Sequence, residues 1–227
     1  MKNTIIRVID FETTGIEPPA QVCEVGICDL VDASRITTPT SWLCGVREMP
    51  PEVRAVHHIS LAQCQGMDEF DSAAMFRAPC DAIAAHNAEF ETKFFESPVP
   101  VICTYKAALR VWPDAPSHSN GVLRYWLEDQ GKIALVHART QPAHRAGPDA
   151  YITAHILKAL FDTGATVNKM VEWTKEPRLL PKCPIGKFRG RPWSEVDNGF
   201  LGWMLRQPTM EADLKWNAER EIARRQE

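Results

Sequence analysis

Two acidic residues, Asp10 and Glu12, stand at the end of a segment that otherwise has the pattern of a buried strand. Residues i and i+2 of a strand share a face, so both carboxylates continue the apolar face of Ile6 and Val8. Two adjacent carboxylates on such a face repel each other and lose hydration, at a cost of several kcal/mol per ion unless a cation compensates. The pair therefore points to a divalent metal. The alternative is an exposed strand end that runs into a polar turn.

A further acid occupies an apolar position in a later helix. Asp149 precedes Ile152 and Ile156 at helical spacing, so it begins the inward face of that helix. His144 lies five residues earlier, on a Gly/Pro loop that can hold an imidazole at the mouth of a site. The alternative for Asp149 is a capping role, because an acid at a helix start also complements the helix dipole.

A third acidic position lies in the segment Asn87–Glu96, which the pattern predicts to be a helix stopped by Pro98. On that helix Glu91 shares a face with Asn87 and Phe94, so another acid stands on an apolar stripe. A surface acid at the edge of the stripe is the alternative interpretation.

The elements that must position these residues alternate between strands and helices. Strands are predicted at Thr4–Ile9, Val22–Val31, Thr40–Val46, Ala82–His86 and Val99–Cys103. Helices are predicted at Pro50–His57, Asn87–Glu96, Tyr105–Trp112, Asn120–Glu128, Asp149–Phe161, Phe200–Arg206 and Met210–Arg225. This order predicts an α/β domain with a mixed β-sheet flanked by helices.

The composition is that of a folded globular chain. The 227 residues are 44% hydrophobic and 24% charged, with a formal net charge of -3. No window approaches the roughly 18 consecutive apolar residues of a membrane span, and the N-terminus enters a strand at once, which leaves no room for a signal peptide. Seven cysteines without C-x-x-C spacing indicate a reducing compartment. These features predict a cytoplasmic protein that does not associate with membranes.

The charge divides the chain unevenly. Residues 1–174 hold 15 Lys+Arg and 21 Asp+Glu, whereas residues 175–227 hold 11 and 8. Three prolines in Lys175–Pro184 are typical of a linker. We therefore predict a main domain over 1–174, then a basic linker and a small helical C-terminal extension over 175–227. A cation-rich segment beside an acidic body suits a protein that handles a polyanion; a solvated surface is the alternative.

Taken together and in this order, the motifs resemble those of the DEDDh 3′–5′ exonucleases. They are the D-x-E motif at Asp10, the H-N-A-x-F-acid run at 86–91 and the H-x-x-x-x-D motif at 144–149. Ala55–Ser60 and Gly186–Arg191 resemble further segments of one member of that family, so the resemblance covers nearly the whole chain. It implies a ribonuclease H-like fold for the main domain, which would be the exonuclease domain.

The resemblance also implies a site with two Mg²⁺ ions, for which Mn²⁺ is a substitute. Asp10 would bridge both ions, Glu12 and Asp149 would complete the ion on the nucleophile side, and Glu91 would act on the second ion directly or through water. His144 would be the general base, because imidazole exchanges protons near neutral pH. By the same analogy the enzyme would hydrolyse phosphodiester bonds at DNA 3′ ends and release nucleoside 5′-monophosphates.

Five further residues are candidate substrate contacts: Thr13, Thr14, Gly15, His57 and Asn87. The first three form a turn after the strand, whose amides can approach the terminal nucleotide because Gly permits close contact. For His57 a packed or exposed side chain is the alternative, and Asn87 either supports its helix or touches substrate. Among the tryptophans, only Trp193 beside the basic turn is a candidate for base stacking.

One position departs from the family, since Glu91 stands where it has Asp. The extra methylene moves the carboxylate by roughly one C–C bond, still within reach of a flexible oxygen-ligand site. Two alternatives remain open. One is an exoribonuclease acting on RNA 3′ ends, since the same site serves both sugars. The other, which Glu91 alone suggests, is a catalytically weak or inactive module that binds nucleic acid or a protein partner. The expected partner is DNA with a free 3′ end, and the sequence leaves a homodimer open.

Overall fold

The computed structural model describes residues 4–226, and within them six strands form one mixed sheet. The strands are β1 (Ile5–Thr13), β2 (Val22–Val31), β3 (Arg35–Ile36), β4 (Thr40–Leu43), β5 (Ala82–Ala85) and β6 (Val101–Cys103). β1 is central, antiparallel to β2 and parallel to β5, and β6 continues parallel to β5. Both β3 and β4 pair antiparallel with β2. The predicted α/β domain with a mixed sheet is confirmed.

Eight α-helices lie in the same part of the chain. They are α1 (Pro51–His57), α2 (Leu61–Cys64), α3 (Thr104–Val111), α4 (Asn120–Asp129), α5 (Ala146–Asp162), α6 (Val167–Lys175), α7 (Asn198–Arg206) and α8 (Ala212–Arg224). The predicted helices at α1, α3, α4, α5, α7 and α8 all agree to within three residues at each end. No helix between residues 4 and 226 has the length and apolar character needed to cross a membrane.

The two faces of β1 bury different cores. Ile6 and Val8 pack with Ile156 and Leu157 of α5, the long helix that covers one face of the sheet. Ile9 and Phe11 point to the other face, into a cluster that includes Met75 and Phe95. β1 pairs with β2 as far as Thr13, beyond the predicted end at Ile9. Asp10 and Glu12 therefore lie inside the sheet, on the α5 side.

The predicted helix over Asn87–Glu96 is wrong. The backbone of Asn87 has a φ of 76°, a left-handed conformation that a right-handed helix cannot include. The Phe90 N–H bonds to the Asn87 carbonyl at 2.8 Å, which closes a tight turn, and a short 3₁₀ helix follows at Glu91–Lys93. Glu91 is therefore held by consecutive turns between β5 and β6.

The C-terminal part of the chain has a hydrophobic cluster of its own. It is built around Trp193, Leu201 and Leu214, where α7 packs against α8. Residues 176–184, within the predicted linker, form neither helix nor strand. Arg178 fixes this segment to the C-terminal part through an ion pair with Asp213. The boundary between the two domains near residue 174 stays a prediction.

Candidate active site

Three carboxylates meet where β1 faces the first turn of α5. Asp10 and Glu12 come from β1, and Asp149 comes from the start of α5. One oxygen atom of each residue lies within 4.8 Å of those of the other two. Oxygen atoms at this separation are close enough to bind the same hard cation. The structure thus brings together three of the four predicted ligands.

The pKa values of all three carboxyl groups in this trio are raised, so it is unfavourable for them to be ionised together. Burial raises the pKa of Asp10 well above its ordinary value, and the charges of Asp149, Glu12 and Glu91 raise it further. Burial and the charge of Asp149 raise the pKa of Glu12 to about 8. Burial also raises the pKa of Asp149 to about 6, although the neighbouring His144 opposes this shift. A divalent cation would relieve this repulsion, so the donor set fits a metal ion.

Glu91, the fourth predicted ligand, lies beside the trio but not within its 4.8 Å set. Its side chain is only 3% exposed, and burial raises its pKa to about 8. Its own backbone N–H bonds to the carboxylate, while Oε2 receives no hydrogen bond from any residue in 4–226. A buried carboxylate oxygen without a partner is costly unless another group satisfies it. Glu91 thus fits a metal ion or a water bound to one.

His144 lies at the mouth of the carboxylate cluster. Its backbone N–H bonds to the Asp149 carboxylate, and its side chain is exposed. Its φ of 56° is a left-handed conformation, which is uncommon outside glycine and costs backbone energy. The residues that follow must hold the loop in place. The charge of His144 acts on the Asp149 carboxyl group, so this exposed residue lies close to the trio.

A buried ion pair that the sequence pattern does not predict anchors this loop. Glu24 lies directly across from Glu12 in the β1–β2 ladder and is 1% exposed. Arg145 donates to its two oxygens through Nε at 2.8 Å and Nη2 at 2.7 Å, and the Ala146 N–H adds a third hydrogen bond at 3.0 Å. Arg145 directly follows His144 in the chain, so the pair fixes the backbone between the predicted base and α5. The only sign of this ion pair in the sequence is that Glu24 is an acid within a largely apolar strand.

A glycine lets α5 approach the sheet closely enough to deliver Asp149. Gly26 pairs with Asp10 in the ladder, and a Cβ placed there would lie 2.0 Å from the Ala146 carbonyl oxygen. Any side chain would force the start of α5 away from β2. The glycine is thus required for the separation between the β1 acids and Asp149.

The predicted substrate turn is held by its own side chains. Thr13 and Thr14 are buried, and the Thr13 hydroxyl donates to the Gly15 carbonyl at 2.6 Å. The Thr14 hydroxyl accepts from the Gln21 N–H at 2.9 Å. These hydroxyls stabilise the turn, so a contact with substrate would come from its backbone. That contact stays a prediction.

His57 is packed, and Asn87 is exposed. His57 is 2% exposed; its Nδ1 accepts from the Ile59 N–H at 3.0 Å, and its ring also bonds to the backbone of Thr13. His57 therefore supports the turn at Thr13–Gly15 from the interior of the protein. Asn87 lies in the turn before Glu91 with its side chain in solvent. Trp193 is buried, with its indole N–H bonded to the Leu180 carbonyl at 2.8 Å, and cannot stack on a base in this conformation.

Comparison with known proteins places these features in context. A family model described as exonuclease, of the ribonuclease T type, matches residues 8–157. Exodeoxyribonuclease 10 of Escherichia coli K12 is 32% identical over 210 residues, which are 88% of this chain and 90% of that protein. The predicted resemblance, including its extent along the chain, is thereby confirmed.

Solved structures show the same fold. Exonuclease X in complex with 5′-overhanging duplex DNA matches with a TM-score of 0.64 and 31% identity, over 74% of this chain and 99% of that chain. Escherichia coli exonuclease I in a complex with single-stranded DNA matches with a TM-score of 0.54 over 71% of this chain and 43% of that chain. At 15% identity the second likeness concerns the fold alone. The predicted ribonuclease H-like fold is confirmed.

Proposed function

The chain belongs to this exonuclease family, and from that premise we propose that it is a metal-dependent enzyme that removes nucleotides from DNA 3′ ends. The observation that carries the proposal is the trio of Asp10, Glu12 and Asp149, with oxygen atoms within 4.8 Å of one another. Acids held this close despite burial are unfavourable for folding alone. A role in binding cations explains their placement.

The donor set suits a hard divalent cation, for which we propose Mg²⁺. Asp10, Glu12 and Asp149 would hold the metal, and Glu91 would serve a second ion directly or through water. All four offer carboxylate oxygens, the ligands that hard divalent cations prefer. When bound, two such ions polarise a phosphodiester, lower the pKa of a bound water and stabilise the leaving oxygen.

His144 would accept the proton of the attacking water. Its side chain is exposed at the mouth of the cluster, and its backbone bonds to Asp149. The Asp149 carboxylate would stabilise the positive charge that the imidazole gains. Arg145 and Glu24 would keep the loop in position while the proton moves.

DNA is the proposed substrate because of the proteins to which this chain is similar. The Escherichia coli relative is named as an exodeoxyribonuclease, and the matched exonuclease X structure contains duplex DNA with a 5′ overhang. A 5′ overhang leaves a recessed 3′ end, which is the end that we propose this enzyme attacks. The backbone of Thr13–Gly15, next to Glu12, would contact the terminal nucleotide.

Labelled oligonucleotides test the proposal. DNA and RNA of one sequence, each labelled at the 5′ or the 3′ end, are incubated with Mg²⁺ or with a chelator. We expect a ladder of shortened products from 5′-labelled DNA and immediate release of a labelled mononucleotide from 3′-labelled DNA, only with Mg²⁺. Asp10→Asn is the matched inactive control. Faster degradation of RNA would instead favour the exoribonuclease, and no metal-dependent release from any substrate would overturn the proposal.

A further inference from the structure

The positive charge of residues 182–227 is concentrated in the first half of that range. Residues 182–206 contain five Lys+Arg and two Asp+Glu, whereas residues 207–227 contain four and five. The two acids of the first half form only exposed pairs, Lys187 with Asp197 at 3.0 Å and Arg191 with Glu195 at 3.7 Å. Exposed pairs of this kind are weak and screened by salt. Residues 182–206 are thus available to attract a polyanion.

A row of three aromatic rings, called the aromatic stack below, reaches the surface within the same segment. The rings of Phe188 and Phe200 lie 5.2 Å apart and edge to face at 61°, and those of Phe200 and Trp203 lie 5.1 Å apart with an interplanar angle of 31°. Phe188 is buried at the inner end, whereas Trp203 at the outer end is 41% exposed. Phe200, Trp203 and Arg206 follow one another at three-residue spacing on α7 and so share a face of that helix. The stack therefore ends in an exposed indole with a cation on the same helix face.

A glycine brings the basic turn directly onto this stack. Gly186 has a φ of 60°, and a Cβ there would lie 2.7 Å from Cζ of Phe200. Lys187 follows it, and its ammonium lies 4.8 Å from the centre of the Phe188 ring. The chain thus places an exposed lysine beside the aromatic stack. Cations next to an exposed aromatic face are the combination that binds unpaired nucleotides, because bases stack on the ring while phosphates pair with the cations.

We propose that Lys187, Trp203 and Arg206 form a second binding surface for single-stranded nucleic acid, distinct from the carboxylate trio. Trp203 stacks on a base of the strand, and Lys187 and Arg206 contact its phosphates. The surface lies beyond residue 157, where the exonuclease family model ends. This inference rests on the proposed function, because the surface would hold a strand whose 3′ end is being degraded.

Binding without catalysis tests the surface directly. The anisotropy of a fluorescent 20-nucleotide poly-dT is measured with the full chain in the presence of chelator, so that no cleavage occurs. We expect Trp203→Ala to weaken binding roughly tenfold, as alanine substitutions at stacking residues do. The double variant Lys187→Ser, Arg206→Ser should make the negative slope of log K against log salt shallower by about 1.4, which corresponds to two phosphate contacts on a single strand.

Matched controls come from the main domain. Tyr125→Ala removes another exposed aromatic ring, on α4, and Lys169→Ser removes another lysine in an exposed ion pair, on α6. Both should bind like the wild type. Trp203→Leu keeps an apolar side chain without an aromatic ring, so it should bind as weakly as Trp203→Ala while retaining the thermal midpoint of the wild type.

Hydrolysis of the p-nitrophenyl ester of thymidine 5′-monophosphate separates this inference from the proposed function. The ester is too small to reach a second surface, so Trp203→Ala should cleave it at the wild-type rate. Equal poly-dT binding by wild type, Trp203→Ala and Trp203→Leu would overturn the inference. Failure of the wild type to cleave either the ester or DNA would count against the proposed function, while the binding measurement would still decide the surface.

Discussion

Arg145 holds Glu24 through two hydrogen bonds, of 2.8 and 2.7 Å, across 121 residues of sequence. Glu24 lies opposite Glu12 on the sheet, and Arg145 directly follows His144. The proposed base and the proposed metal ligands are thus tied to each other through one ion pair. Its contribution should be visible in both stability and catalysis.

Arg145→Ala should lower the free energy of unfolding by about 3 kcal/mol, the lower end of the range for breaking a buried pair, because Arg145 itself is partly exposed. The loss arises because the Glu24 charge stays buried without its partner. Chemical denaturation measures it, and Lys158→Ala is the control, since its surface pair with Asp162 should contribute less than about 1 kcal/mol. If Arg145→Ala lost no more stability than Lys158→Ala, the pair of Arg145 with Glu24 would not stabilise the fold.

The metal-free protein should lose stability as pH rises. Glu12 and Glu91 have a pKa of about 8 in the folded chain, against an ordinary value of 4.5. Between these values the folded state keeps protons that the unfolded state has released, so the stability contributed by these two groups is full below about pH 4.5 and is lost towards pH 8. Thermal midpoints are measured with chelator from pH 7 to 8, above the range in which the buried His86 and His155, with pKa values lowered to about 4, oppose this trend. They should fall as pH rises, and saturating Mg²⁺ should flatten the dependence.

Asp10→Asn should weaken this pH dependence and abolish cleavage. It removes the central charge of the cluster, so at pH 8 without metal its thermal midpoint should exceed that of the wild type. A gain of about 1 kcal/mol corresponds to 2–4 °C for a chain of this size. Calorimetry should find Mg²⁺ binding lost. Wild-type turnover by this variant would contradict the assignment of Asp10 as a metal ligand.

His144→Ala should reduce the rate by about 10²–10⁴-fold, the usual contribution of a general base. Metal affinity, measured by calorimetry, should change little, because the imidazole is not part of the carboxylate trio. His137→Ala provides an exposed histidine as the control. Loss of metal binding with an unchanged residual rate would instead make His144 a ligand.

Glu91→Gln should impair cleavage far more than Glu91→Asp. Gln keeps the shape but removes a charge, whereas Asp keeps the charge and restores the residue that the family carries. Without metal, the neutral Gln should not destabilise the fold, since burial already penalises the Glu91 charge. Glu89→Gln is the control, because Glu89 is an acid close to Glu91 in the chain but is exposed. Equal rates for wild type and Glu91→Gln across a Mg²⁺ titration would exclude Glu91 from the site.

The features that the sequence predicted well depend on local periodicity. The alternation of β1 placed Asp10 and Glu12 on one face, and the bounds of β2 agree at both ends. The inward face of α5 led to Asp149 in the same way. Each of these inferences needed only residues near one another in the chain.

The features that the sequence did not predict depend on contacts between residues far apart in the chain or on backbone conformation. Glu24 and Arg145 meet only after the sheet and α5 have packed, and no local pattern encodes that meeting. The turn at Asn87 replaced a helix because one residue adopts positive φ. Proximity to basic residues favoured Trp193 as a stacking residue, yet burial is set by packing, which leaves Trp203 exposed instead.

The separation of the carboxylates along the chain has a consequence for biosynthesis. Asp149 lies 137 residues after Glu12 in the chain, and its position depends on α5 docking against β1 and β2. A nascent or truncated chain that ends before α5 therefore carries an incomplete site. A cell making this protein would be protected from the activity of the site until Asp149 has been synthesised and α5 has docked, so activity would report that β1, β2 and α5 have packed together.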